Sequence, residues 1–141
     1  MISSRKIEDL HPIVAAKARA HIAACDAIGI DIIITCTYRD SAEQDRLYAI
    51  GRTAPGSKVT NAKAGQSLHN YRVAYDVVPL RHGKPVWGTK GEDGVLWQKV
   101  GAAGKAQGLE WAGDWKTFKE FPHFQFTNGR KLAHFQAGGS L

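Results

Sequence analysis

The chain has 141 residues, enough for one substantial core and short for two. An apolar fraction of 43% with four tryptophans excludes a disordered segment, and no stretch approaches the ~20 apolar residues of a membrane span. The formal net charge of +6 predicts attraction to polyanions, but no basic run exceeds two residues, which excludes a basic arm.

The N-terminal MISSRKIEDLHP lacks the apolar core of a signal peptide. Pro12 suits the first turn of a helix, and Val14, Ala18, Ile22, Cys25 and Ile28 follow at spacings of three and four, with Gly29 as the stop. IDIIITCTY is rich in β-branched residues and predicts a buried strand. Asp40 with Glu43 three later resembles a capping box for a short helix through Ile50. Residues 52–66 carry no periodicity, and loops of that length often border active sites.

Residues 73–79 predict a second strand ended by Pro79, and RHGKPVWG a hairpin around Gly83. Leu96, Val100, Ala103 and Gln107 predict a helix closing at Gly108, and FPHFQF alternates as a short strand behind Pro122. Cys25 and Cys36 make no disulfide framework and no CxxC pair, so both are expected reduced and buried. With no repeat, low-complexity tract or linker, residues 1–141 are expected to form a single α+β domain.

The chemistry concentrates in GQSLHNYRVAYDVVP, where His69 approaches a strand and Asp76 lies inside it. Burying a carboxylate is costly unless it is paired or bound to metal. His69, Asp76 and His123 are N and O donors of the kind that hold catalytic zinc with a position left open. On spacing alone they equally describe a loop-capping histidine and an aspartate tied to backbone amides. Glu120 lies three residues before His123, where a carboxylate could take the proton of an attacking water, or be one more surface acid. Arg39 could steady a developing oxyanion or hold a substrate carboxylate, or pair with Asp40 or Asp45.

SLHNYRVAYD (residues 67–76) resembles the SxHxxxxAxD motif of the zinc DD-peptidases of the VanY and LAS type, and EFPHF (120–124) resembles their ExxH motif. TCTYRDSAEQDRLYAIGRT (35–53) and GLEWAGDWKTFKEFPHFQF (108–126) are similar to the phage and bacterial L-alanyl-D-glutamate endopeptidases of that family, so the likeness covers most of the chain. The resemblance implies a LAS-like fold with a central, mostly antiparallel sheet flanked by helices. It implies Zn²⁺ held by His69, Asp76 and His123, Glu120 as catalytic base and Arg39 as the arginine of the transition state. Ser67 would brace the first histidine, and Gln44, Asp114 and Trp115 match further substrate-site positions, with Ala112 in place of a family glycine. Arg72 stands where many relatives have glycine; it is either strained at positive φ or extends over the cleft toward acidic substrate.

The implied activity is hydrolysis of the L-alanyl-D-glutamate amide in peptidoglycan stem peptides, as an endolysin in host cell lysis. The enzyme would wait as a monomer in the cytoplasm of the bacterial host, without stable membrane association, until a holin opens the way to the wall. A D-alanyl-D-alanine carboxypeptidase or dipeptidase of the same fold is the nearest alternative. It would need a cation pocket drawn from Arg39, Arg52, Lys58, Lys63 or Arg72. A nucleic-acid-binding module would need a connected basic patch with stacking rings and carries no known signature here, so no nucleic-acid partner is expected. A non-catalytic wall-binding protein would have no use for five intact catalytic positions. Residues 127–141 are expected to complete the fold.

Overall fold

In the computed structural model, which describes residues 1–141 throughout, α1 (Pro12–Ala27) starts where expected. The His11 ring accepts from the Ile13 amide, and Pro12 sits at the first helical position, where its missing N–H would have had no partner. Gly29, at φ +79°, turns the chain into β1 (Asp31–Cys36). The Asp40 carboxylate accepts from the Glu43 amide and opens α2 (Ser41–Ala49). The reciprocal half of the capping box is absent, because Glu43 pairs with Arg46 instead.

After the long loop come β2 (Ala74–Arg81), β3 (Lys84–Pro85), α3 (Glu92–Lys105), β4 (Glu110–Trp111), β5 (His123–Gln125) and α4 (Leu132–Gln136). The sheet order is β1-β2-β5-β4, with β3 on β2 as the expected hairpin, and every pairing is antiparallel. Pro79 does not end β2, which continues to Arg81. The β5 ladder stops at Asp76↔His123, so Pro79 lies beyond it, and its carbonyl accepts from Val86 in the hairpin.

Cross-strand partners share a face of the sheet, and successive rows alternate. The row Tyr75–Phe124–Trp111 faces the helices, with ring centroids 5.9 Å and 6.3 Å apart. Gly101 and Gly104 let α3 approach this row: a Cβ on Gly101 would run into Trp111, and one on Gly104 into Phe124. His21 of α1 is buried here and satisfied on both nitrogens, accepting from the Tyr75 hydroxyl and donating to the Val100 carbonyl; burial holds its pKa below the ordinary value. The neighbouring rows, Cys36–Asp76–His123 and Ala74–Gln125–Glu110, belong to the opposite side. The C-terminal segment, taken from sequence as completing the fold, contains α4, whose buried Phe135 lies 5.9 Å from Tyr71. Both cysteines are free and buried. No helix is long and apolar enough to cross a membrane.

Candidate metal centre and cleft

Register alone places Asp76 beside His123, because the two are direct partners across β2 and β5. His69 arrives from a short 3-10 turn, Leu68–Tyr71, whose N-cap Ser67 accepts from the His69 amide at 3.2 Å. Ser67 thus braces the backbone of His69. Asn70 ties the same turn to the Arg39 carbonyl at 2.9 Å, and the Arg39 amide donates to the His69 carbonyl at 3.1 Å.

A single oxygen, Asp76 Oδ1, lies 3.2 Å from His69 Nε2 and 3.2 Å from His123 Nδ1. Two donors ~2.0–2.1 Å from a tetrahedral zinc ion stand about 3.3 Å apart, so both separations suit a shared ion. The outer ring nitrogens are already engaged, His69 Nδ1 with the Thr37 carbonyl at 3.0 Å and His123 Nε2 with Gln125 Oε1 at 2.8 Å. Such outer acceptors fix a ring so that its inner nitrogen addresses a metal. Asp76 therefore stands at zinc-ligand spacing from each imidazole, and the N and O donors suit zinc in type.

Without metal the same groups form an ion pair. Burial acts to lower the His69 pKa, but the Asp76 carboxylate outweighs it and pushes His69 up to about 10. Burial acts to raise the Asp76 pKa, and the two imidazoles reverse that, holding it far below the usual carboxylate range.

Cys36 also stands here, with ligand atoms of Cys36, His69 and Asp76 all within 4.8 Å of one another. Its Sγ meets the outer nitrogen of His69, Nδ1, at 3.6 Å and the Arg39 guanidinium at 3.5 Å. It therefore backs the inner donor set from behind. Burial pushes the thiol up, but His69 and Arg39 together bring it below its ordinary value. Sequence reasoning treated Cys36 as an ordinary buried cysteine; its register opposite Asp76 was the missed signal.

The cleft around these groups, of about 720 Å³, is lined by Arg39, Ser67, Trp115, Glu120, His69, Asp76 and His123, with the 59–62 stretch of the long loop as one wall. Glu120 is half-exposed, with Oε2 3.8 Å from His123 Nδ1. The His123 amide donates to the Glu120 carbonyl at 3.3 Å, so a turn across Phe121 and Pro122 brings both side chains to one place. Trp115 lies 5.7 Å from the His123 ring.

Arg39 has no carboxylate partner. Asp40 is spent on capping and Asp45 on the Ala64 amide. The Arg39 guanidinium instead donates to Gln44 Oε1 at 3.0 Å and to Cys36, while its buried Nε has no partner.

Three expected substrate contacts stand elsewhere. Gln44 is fully buried outside the cleft lining, holding Arg39 on one side and the Ala62 carbonyl at 2.7 Å on the other. Asp114 is paired with Lys105 at 2.9 Å and does not line the cleft. Arg72 adopts φ +65°, so the left-handed conformation is required there, and its side chain turns away from the cleft. It stacks 3.9 Å over Tyr38 and donates to the Asp9 carbonyl at 2.8 Å.

The D-alanyl-D-alanine carboxypeptidase family matches residues 60–126, the span that holds His69, Asp76, Glu120 and His123. The chain is 43% identical over 122 residues to the peptidoglycan L-alanyl-D-glutamate endopeptidase CwlK of Bacillus subtilis, covering 83% of this chain and 73% of that protein. It is 31% identical over 115 residues to the L-alanyl-D-glutamate peptidase of Listeria phage A118, covering 79% of this chain and 36% of the phage protein. Among solved structures, the Serratia marcescens L-Ala D-Glu endopeptidase ChiX aligns with a TM-score of 0.64 at 22% identity, covering 89% of each chain. The vancomycin-resistance D,D-pentapeptidase VanY, in complex with Zn(II), aligns with a TM-score of 0.61 at 13% identity, covering 91% of this chain and 78% of that one. At those identities the two structures share the fold.

Proposed function

The chain belongs to the peptidase family of these D-alanyl-D-alanine carboxypeptidases and L-alanyl-D-glutamate endopeptidases, and from that premise we propose that it is a zinc endopeptidase cleaving the L-alanyl-D-glutamate bond of peptidoglycan stem peptides. The observation that carries the reading is the convergence of His69 Nε2 and His123 Nδ1 on one oxygen of Asp76, inside a cleft that also presents Glu120 and Arg39.

His69, Asp76 and His123 would hold the ion. Zinc, when bound, supplies Lewis acidity toward a carbonyl oxygen and toward water. Glu120 is the carboxylate at the mouth of the site: it accepts the proton from the attacking water and delivers one to the departing amine of D-glutamate. Arg39 meets negative charge as it grows on the scissile carbonyl oxygen, held for that task by Gln44 and Cys36 and neutralised by no acid. Ser67 keeps the His69 turn in place, and Trp115 walls the His123 side against solvent.

The family match also favours a second reading, a D-alanyl-D-alanine carboxypeptidase. That activity needs a cation for the terminal carboxylate. Of the five basic residues considered for it, only Arg39 lines the cleft. Arg52 is bound to the Tyr48 and Thr60 carbonyls, and Lys63 lies over the Tyr48 ring. Lys119 is the one other cation lining the cleft, so a terminal carboxylate would have to be held by Arg39 or Lys119.

We place the activity in phage-type lysis, with holin-dependent passage from the host cytoplasm to the wall. The net charge of +6 and the likeness to the phage peptidase support this role. Zinc-loaded protein added to purified sacculi is expected to release free amino groups on D-glutamate and leave glycan strands intact. Release of D-alanine alone would establish the carboxypeptidase instead, and new reducing ends would refute both.

A further inference from the structure

Gln125 stands two residues beyond His123 on β5, hence on the same face, and its direct partner across the β4 ladder is Glu110. Gln125 is buried, and its side chain touches both neighbours: Nε2 is 3.1 Å from Glu110 Oε2, and Oε1 is 2.8 Å from His123 Nε2. The direction of this chain follows from its outer end. An ionised carboxylate can only accept, so the amide must turn its NH₂ toward Glu110 and its oxygen toward His123. An oxygen facing the ring requires the proton on His123 Nε2. Nδ1, 3.2 Å from Asp76, is then the nitrogen whose lone pair an ion would take.

We propose that Glu110 and Gln125 are positioning residues that lock His123 in its Nε2–H form and thereby set the affinity of the metal centre. This rests on the zinc reading above. Gln125 lines the cleft beside His123 and acts on the ion through that ring. With Glu110 gone the amide loses the partner that orients it. A flipped amide would offer an N–H to His123 Nε2, where the ring needs an acceptor while Nδ1 is given to an ion. The chain parallels the other ligand histidine, His69, whose outer nitrogen meets the rigid backbone carbonyl of Thr37. There no side chain needs orienting; on the β5 side Glu110 supplies what the backbone supplies to His69.

The test is zinc affinity measured by competition with a chromophoric chelator, beside ¹⁵N spectra of the histidine side chains of the zinc-loaded protein. Gln125→Leu is expected to weaken zinc binding by about 10- to 100-fold, the usual effect of losing an outer-shell partner. The His123 Nε2–H signal, protected in the wild type, should broaden through exchange with solvent. Glu110→Ala should do the same to a smaller degree.

Gln125→Glu alone sets two carboxylates side by side and should weaken binding as well. The exchanged pair Glu110→Gln with Gln125→Glu restores a donor facing an acceptor and should return affinity to within about threefold of the wild type. Wild-type zinc affinity in Gln125→Leu, or an exchanged pair no better than the single variants, would overturn the proposal while leaving the zinc reading intact. A wild-type protein that binds no zinc would overturn both.

Discussion

Asp76 and His123 are direct partners across two antiparallel strands, and the same Asp76 oxygen that lies 3.2 Å from His123 also lies 3.2 Å from His69. In the metal-free protein the His69 pKa is pushed up to about 10 by that carboxylate, so its inner nitrogen carries a proton at neutral pH. An ion entering between the three groups must displace it. Zinc binding near pH 7 is expected to release about one proton from this ring, and affinity should rise roughly tenfold per pH unit over the neutral range. Calorimetry in buffers of different ionisation enthalpy measures the release. Heats that do not vary with buffer would mean that His69 holds no proton there.

The same ion pair gives the metal-free fold a defined pH window. Asp76 is depressed from 3.8, so its contribution is present above that value and is lost as pH falls through its folded pKa. His69 is raised from 6.5 to about 10, so its contribution is complete below 6.5 and is lost as pH rises through about 10. The melting temperature of chelator-treated protein should be highest between those two unfolded-state values, about pH 4 to 6.5, and decline on either side. Asp76→Asn should flatten the alkaline decline in particular. An unchanged profile in that variant would place the pH dependence elsewhere.

Glu120 is half-exposed and 3.8 Å from His123 Nδ1, too exposed to hold the fold together. Glu120→Gln should therefore leave melting temperature and zinc content unchanged while turnover falls by about 10² to 10⁴, the usual contribution of a positioned proton acceptor. Full activity at neutral pH would assign the base to another group. Metal content has to be measured alongside, so that a loss of ion is not mistaken for a loss of base.

The elements that sequence exposed were those whose signals are local. Pro12, the Asp40 cap, Gly29 and Gly108 each act within a few residues of the boundary they mark. Pro79 misled because a proline demotes a strand only where its missing N–H faces a partner, and at Pro79 the β5 ladder has already ended. Arg72 and Asp114 were aligned with motif positions, but what each side chain does depends on Tyr38, Asp9 and Lys105, which are distant in sequence. Cys36 and Gln125 could enter only through strand register, which periodicity does not give. The motif spacing was readable; the support behind each motif residue was not.

Arg39 is the cation whose role the geometry specifies most narrowly. Its guanidinium is held by Gln44 at 3.0 Å and Cys36 at 3.5 Å, while Nε is buried with no partner and no carboxylate makes a direct ion pair with it. A buried donor left unpaired costs about 1–3 kcal/mol, a cost that persists in the resting protein unless a ligand oxygen supplies the partner. If that oxygen is the one on which charge develops, the interaction is strongest at the transition state, and Arg39→Ala should lower kcat by about 10² to 10³ with KM changed less than threefold. Arg39→Lys keeps the charge but loses the fork that spans Gln44 and Cys36, and should recover only a small part of the rate. Gln44→Ala keeps the guanidinium but frees it to move, and should fall between wild type and Arg39→Ala in kcat. Steady-state kinetics on a stem-peptide substrate separates the cases. A rise in KM at constant kcat in Arg39→Ala would instead make Arg39 an anchor for a ground-state carboxylate, and Arg39→Lys would then rescue binding.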